Sequence, residues 1–304
     1  MFGAGAMGSF FGGMLAARNE VTLVGRRDHM EAIRDHGLRI TGKTSRVAMP
    51  IARTKVPRGP SPDLVLVTTK AYDTEAAMTV LKDFAEGALF ASLQNGLDNG
   101  DDIARTARRV TVGTTAHGVT YLGPGEIRHA GLGDTVLGRW KGASEDDVVR
   151  LRDVFDDAGI RSRIASDIRS ELWSKLVVNA SINPIAALAG CPNGRLVSDP
   201  RLREAVERTC REAAKVAKGE GARIDPEDVV RRTLVIARRT GTNRCSMLQD
   251  LDAGHRTEID AITGAVLRGA RRRGIPVPMN DALYALVRAR EAAGPRQRAV
   301  RDLE

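Results

Sequence analysis

Cysteine is scarce in this 304-residue chain. Cys191, Cys210 and Cys245 make an odd number with no C-x-x-C pair, which argues against a disulfide framework and against a cysteine-rich zinc site. Aromatic residues are only 4% of the total. No apolar run approaches the ~18 residues that span a membrane. The opening residues show no signal-peptide pattern, so a cytoplasmic protein with no membrane partner is expected. Lysine is also rare: the formal net charge is +9, yet only eight of the 47 basic residues are lysines. The arginines are interleaved with acids over 201–211 and 231–239. With so few aromatics, the surplus reads as solvated helix faces with some attraction for anionic small molecules, and no nucleic-acid partner is expected. Each lysine set among apolar neighbours is correspondingly more informative. What remains is an ordinary globular composition, 42% hydrophobic and 28% charged, long enough for two domains.

The first half alternates β-branched runs with helical stretches. Strands are expected at 21–24, 63–69 and 89–93, helices at 28–36, 74–84 and 100–108, and a strand pair at 38–41 and 46–51. This order predicts a parallel sheet with helices on both faces. Residues 63–69, apolar on both sides, read as a fully buried strand. Beyond residue 110, short runs at 110–113, 118–122, 126–129 and 135–137 read as an antiparallel meander added to that sheet. A helix at 144–158 follows, with Ser144 as N-cap and Gly159 as stop. From residue 167 strand signals nearly vanish. Helices are expected at 167–188, 199–219, 225–238, 246–252, 257–273 and 280–293, with 295–304 as a frayed tail.

Gly3-Ala4-Gly5-Ala6-Met7-Gly8 fits G-x-G-x-x-G. Glycines permit a tight turn, close approach of a pyrophosphate and close helix–strand packing. A helix starting near Ala6 offers free N–H groups and a positive dipole end to the phosphates. The strand before the glycines is reduced to Met1-Phe2, against about five or six residues for an ordinary core strand. Either the start lies upstream or the first strand is truncated; a flexible glycine-rich start is the competing reading. The strand at 21–24 ends in Gly25-Arg26-Arg27, where an NAD site would carry an acidic residue for the ribose diol. A guanidinium pairs with phosphate in a fork. NADP(H) is therefore preferred, with Arg26 as a contact; a solvated arginine pair at a helix start is the alternative. Lys70 and Gln94-Asn95-Gly96 follow strands 63–69 and 89–93, at the strand ends where open α/β sheets bind ligands. Asn95 is a candidate for the nicotinamide ribose or the substrate, although Asn-Gly also favours a plain turn. The expected fold class is α/β: a Rossmann-type dinucleotide-binding domain over 1–165, then an all-helical domain over 166–304 carrying substrate and catalytic groups. The site is expected between the two.

The run from Trp173 to Pro184 carries the most chemistry. Lys175, Asn179 and Asn183 are four apart and share one helix face, while their neighbours are apolar nearly all round, as in a buried helix. Buried polar groups need partners. Two readings stand: a ligand pocket, or an ion-paired structural lysine with internally bonded asparagines. Asn183 precedes Pro184, which disfavours helix there and suggests a kink. Farther on, Ser246 reads as an N-cap, and Thr257 and Glu258 as the opening of another helix. Both N-termini would welcome an anion; plain caps are the alternative. The histidines lack metal-ligand spacing, no metal is required, and His117 reads as structural.

Together these segments resemble ketopantoate reductases (2-dehydropantoate 2-reductases). The matching pieces are the glycine turn, Gln94-Asn95-Gly96, residues 113–118 with His117, 173–184, 246–250 and 257–260. They occur in family order, with Cys245 where a second serine is common. The resemblance implies NADPH-dependent reduction of 2-dehydropantoate to (R)-pantoate, a step toward pantothenate and coenzyme A. It implies Lys175 as general acid and Asn179, Asn183 and Ser246 as substrate binders. Glu258 would be partner to the lysine, substrate and cofactor, Asn95 would contact cofactor and substrate, and Lys70 the cofactor region. The chemistry is coherent, because a positioned ammonium stabilises and protonates the oxygen that turns anionic under hydride attack. Burial should lower the pKa of Lys175 and Glu258 should raise it. A related reductase of another 2-oxo acid and a non-catalytic NADP-binding sensor are the other readings. Surface helices leave room for a homodimer.

Overall fold

The computed structural model describes residues 1–294; the expected tail at 295–304 lies outside the described residues. The chain divides into two compact units, Met1–Leu172 and the residues from Trp173 on.

In the first unit the strands Leu64–Val67, Leu89–Ser92 and Arg109–Thr115 pair in parallel. Thr135–Arg139 lies antiparallel to Arg109–Thr115, and Ser162–Ile164 parallel to Thr135–Arg139. Separately, Thr22–Val24 pairs in parallel with Ile51–Arg53. Two residues join these sets. Phe2 bridges in parallel to both Val24 and Val67. The Phe2 N–H donates to the Leu66 carbonyl, the Thr68 N–H to the Phe2 carbonyl and the Val24 N–H to the Met1 carbonyl, each at 2.9 Å. Met1 and Phe2 thus occupy a central strand position and deliver the chain into the glycine turn. The strand Leu64–Val67 is buried on both faces, as its composition demands. Leu66 joins a core with Phe10, Phe11, Leu23 and Ile33, while Val65 and Val67 join another with Phe90, Ile103 and Val110.

The expected meander is not a single addition to this sheet. Arg109–Thr115 and Thr135–Arg139 do join it. Gly118–Gly123 and Glu126–Gly131 instead form a second, four-stranded sheet, ordered Arg46–Ala48, Leu38–Gly42, Glu126–Gly131, Gly118–Gly123. Glu126–Gly131 runs parallel to Leu38–Gly42, a pairing between distant segments. Register shifts at Gly118/Val119 and Tyr121/Gly123 mark bulges, which bend a hairpin. The expected strand 46–51 also splits. Pro50 has no N–H for a ladder, so Arg46–Ala48 stays in the second sheet and Ile51–Arg53 pairs with Thr22–Val24. The helix Glu145–Asp157 opens on a reciprocal capping box between Ser144 and Asp147.

The helix Ile168–Ala189 leads into the second unit and continues through Pro184, where the residue before proline was expected to disfavour helix. The helix Pro200–Gly219 is the hub of this unit, packing against Pro226–Arg239, Thr263–Arg273 and Pro278–Ala292. Asp199 and Asp225 cap Pro200–Gly219 and Pro226–Arg239, each with proline in the first turn. Fully buried Cys210, Ala213, Ala214, Val216, Ala217 and Val266 line the core. The expected helix at 257–273 starts only at Thr263.

Candidate active site

The glycine turn is built by three glycines with two different roles. Gly3 has φ +96°, and a Cβ there would lie 2.5 Å from the Thr69 nitrogen. A Cβ on Gly8 would lie 2.4 Å from the Gly3 oxygen and 2.5 Å from Thr68 Oγ1. Internal packing demands both glycines. A Cβ on Gly5 would meet nothing within 4 Å, so the second glycine opens onto clear space. Gly5 is the N-cap of the helix Ala6–Leu15, with no side chain to cap the first-turn N–H groups and no acid in that turn. First-turn N–H groups without side-chain acceptors, under open space, form a cradle suited to a pyrophosphate.

Arg26 is the exposed N-cap of the helix Arg27–His36, directly after Thr22–Val24. Its neighbour Arg27 pairs with Glu31 at 3.7 Å. Just inside the helix is buried His29, which nothing in the sequence spacing marks. Its Nδ1 accepts from the Gly125 N–H at 2.8 Å, so Nε2 carries the proton and donates to Ser9 Oγ, also at 2.8 Å. His29 thus ties together the glycine-turn helix, the Arg26 helix and the second sheet. His117 lies beside His129 (Nδ1 to Nε2, 3.0 Å) and packs on Phe10. Burial, and next the neighbouring His129, push its pKa down to about 4.

At the neighbouring strand ends, Lys70 precedes the short helix Ala71–Asp73. Asn95 is half-buried in a turn where Gly96 takes φ +104°. The Asn95 carbonyl accepts from Asn99 Nδ2 at 2.8 Å. Beneath these loops lie Thr74, Gln94 and Asn99, at 1%, 8% and 5% exposure; the spacing places only Gln94, at a strand end, and gives none of the three side chains a role.

In the second unit, Lys175, Asn179 and Asn183 follow one another along Ile168–Ala189; Asn183 is buried, Lys175 and Asn179 are half-buried. Burial pulls the Lys175 pKa down from its ordinary value to about 8, and the charge of buried Glu258 pulls it back up. The fold has brought these two groups within electrostatic reach. Glu258 does not open a helix: its carbonyl accepts from the Ala261 and Ile262 N–H groups in a tight turn. Thr257 is no cap of Thr263–Arg273 either. Its Oγ1 accepts from the Ile259 N–H at 3.2 Å. The expected cap Ser246 is the first residue of the helix Ser246–Asp252, and the N-cap is Cys245, whose sulfur accepts from the Leu248 N–H. The Cys245 thiol also donates to the Asn183 carbonyl at 3.6 Å, which ties the start of the helix Ser246–Asp252 to the Asn183 backbone; Ser246 itself is exposed.

Among the described residues, no group of three or more His, Cys, Asp or Glu side chains is arranged to hold a metal ion. No helix of these residues is long and apolar enough to cross a membrane. All three cysteines are free thiols.

Residues 1–142 match the family model described as ketopantoate reductase PanE/ApbA, and residues 167–291 match ketopantoate reductase PanE/ApbA C terminal. The chain is 39% identical over 298 residues to a 2-dehydropantoate 2-reductase of Halobacterium salinarum, covering 96% of this chain and 98% of the relative. It is 36% identical over 297 residues to that of Pyrococcus horikoshii, covering 97% of each. The crystal structure of the PanE/ApbA family ketopantoate reductase from Ralstonia eutropha JMP134 matches with TM-score 0.87 at 33% identity, over 96% of this chain and 99% of that one. A D-mandelate dehydrogenase with NADH and anilino(oxo)acetate matches with TM-score 0.90 at 27% identity, with the same coverage.

Proposed function

The chain belongs to the ketopantoate reductase family of NADP-dependent oxidoreductases, and from that premise we propose that it reduces 2-dehydropantoate to (R)-pantoate with NADPH, a step toward pantothenate and coenzyme A. The observation that carries this reading is an ammonium, Lys175, within electrostatic reach of a buried carboxylate, with its pKa brought to about 8, on a helix face shared with two asparagines.

Bound NADPH supplies a hydride to the keto carbon. Everything else falls to this chain. The first-turn N–H groups of Ala6, Met7 and Gly8, with the Gly3-Ala4-Gly5 turn, would hold the pyrophosphate, and Arg26 would hold the extra phosphate of the ribose. Lys70 and Asn95 serve the nicotinamide end. Asn179, Asn183 and Ser246 bind the carboxylate and hydroxyl of the substrate without adding charge. Lys175 stabilises the oxygen as it becomes anionic and gives it a proton, completing the alcohol. Glu258 keeps that lysine charged near neutral pH and is a partner to substrate and cofactor. Free thiols and a reduced nicotinamide cofactor suit a cytoplasmic location.

The direct test follows NADPH oxidation with ketopantoate for the wild-type protein and Lys175→Ala. Loss of about 10²–10⁴-fold in kcat/KM is expected for a general acid; equal rates refute the mechanism. The likeness to D-mandelate dehydrogenase favours a second reading, reduction of another 2-oxo acid. A panel of 2-oxo acids ranked by kcat/KM separates the two, since a mismatched pocket costs little for one methylene and much for an unpaired polar group.

A further inference from the structure

The loop after Leu64–Val67, which carries Lys70, and the loop after Leu89–Ser92, which carries Asn95, are joined by a buried side-chain relay. Gln94 Nε2 donates to the Thr69 carbonyl at 3.0 Å and lies 2.8 Å from Thr74 Oγ1 and 3.2 Å from Thr69 Oγ1. Gln94 Oε1 accepts from Ser92 Oγ at 2.8 Å. The Thr74 hydroxyl donates to Asn99 Oδ1 at 3.1 Å, and Asn99 Nδ2 donates to the Asn95 carbonyl at 2.8 Å.

The polarity of the relay is forced. A hydroxyl has one proton, so with that proton on Asn99 the Thr74 oxygen accepts from Gln94. A flipped Gln94 amide would set its carbonyl against the Thr69 carbonyl. All four side chains are buried, where an incomplete network is costly. Each link therefore holds the next, from Thr69, immediately before Lys70, to the backbone of Asn95.

We propose that Thr74 and Gln94 are positioning residues for the reductase: the relay fixes the Lys70 and Asn95 loops relative to each other, so that both meet the nicotinamide end of one NADPH. This rests on the reading that this end of the sheet takes NADPH, for which the Gly5 cradle is the structural support.

Thr74→Val removes the hydroxyl with little change of shape, and Thr74→Ser restores it. The NADPH dissociation constant is measured by fluorescence titration below the melting temperature of each variant, beside the KM for ketopantoate. The expected result is an NADPH Kd raised about tenfold in Thr74→Val, the scale of a lost buried hydrogen bond, and one within about twofold of wild type in Thr74→Ser. Asn99→Asp, which replaces the donor to Asn95 by an acceptor, is expected to match Thr74→Val and serves if valine prevents folding. A folded Thr74→Val or Asn99→Asp protein with lowered Tm but wild-type Kd and KM shows a purely structural role and overturns the proposal. Wild-type protein that binds no NADPH overturns the functional reading and this inference with it.

Discussion

The Lys175 amine and the Glu258 carboxylate, one on a long helix and the other on a tight turn, are electrostatically coupled: burial draws the lysine down to about pKa 8 and the glutamate resists. A lysine with that pKa is charged at neutral pH and gives up its proton far more readily than an exposed one.

The pH profile follows from this pair. In the proposed mechanism reduction needs protonated Lys175, so kcat/KM is expected to fall as pH rises through about 8. Glu258→Gln removes the group that raises the lysine pKa, so the alkaline limb should move to lower pH. Rate profiles from pH ~6 to ~10 check this, and an unmoved limb in the variant rejects the coupling.

The two kinds of glycine should separate experimentally. Gly5→Ala places a methyl in open space at an ordinary φ of −85°. Its melting temperature should match wild type while NADPH binding weakens about tenfold or more, because the methyl would fill the space of the proposed pyrophosphate cradle. Gly8→Ala drives a methyl to 2.4 Å from the Gly3 oxygen and should cost about 1–3 kcal/mol of stability. Thermal melts beside NADPH titrations read both.

Arg26→Ala should change cofactor choice more than fold. Arg26 is exposed at a helix start, and a charged hydrogen bond to phosphate contributes about 1.5–3 kcal/mol. The preference for NADPH over NADH, taken as a ratio of Kd values, is expected to drop about 10–100-fold with little change in Tm. An unchanged ratio assigns the phosphate elsewhere.

Acid should loosen the first unit through its histidines. His117 is lowered to about 4, and His29 and His129 are lowered as well. A folded pKa below the unfolded value means that the unfolded chain binds protons first. Stability is therefore fully present above pH ~6.5 and declines as pH falls toward 4. Replacing His117 by Phe should flatten Tm against pH over that window; an unaltered slope refutes the assignment.

Much of the fold was legible locally. The Asp-Pro starts of two helices, the capping box at Ser144 and the doubly apolar strand Leu64–Val67 each depend on neighbours a few residues away. The errors arose where a segment chose between partners. The hairpin Gly118–Gly131 looked like more of the main sheet because its strand pattern says which residues alternate, not which distant strand they pair with. Thr257 and Glu258 imitate a helix cap in the sequence, but the chain there makes a tight turn and the helix begins only at Thr263. The sequence points to Ser246 as the N-cap, whereas the structure uses Cys245, since sulfur is an unusual acceptor for that position.

The amino-acid order by itself determined the glycine cradle, the arginine after the neighbouring strand, and the four-residue spacing that lines a lysine and two asparagines along one helix, because turn geometry and helical pitch act within a few residues. The family resemblance implied Glu258 as partner to Lys175, but only the tertiary structure decided that this carboxylate, on a remote turn, comes within electrostatic reach of the lysine, and that Gln94, Thr74 and Asn99 close a relay between two loops. The physical reason is that such groups meet only when packing brings distant segments together, and the low-dielectric interior then makes each missing partner costly.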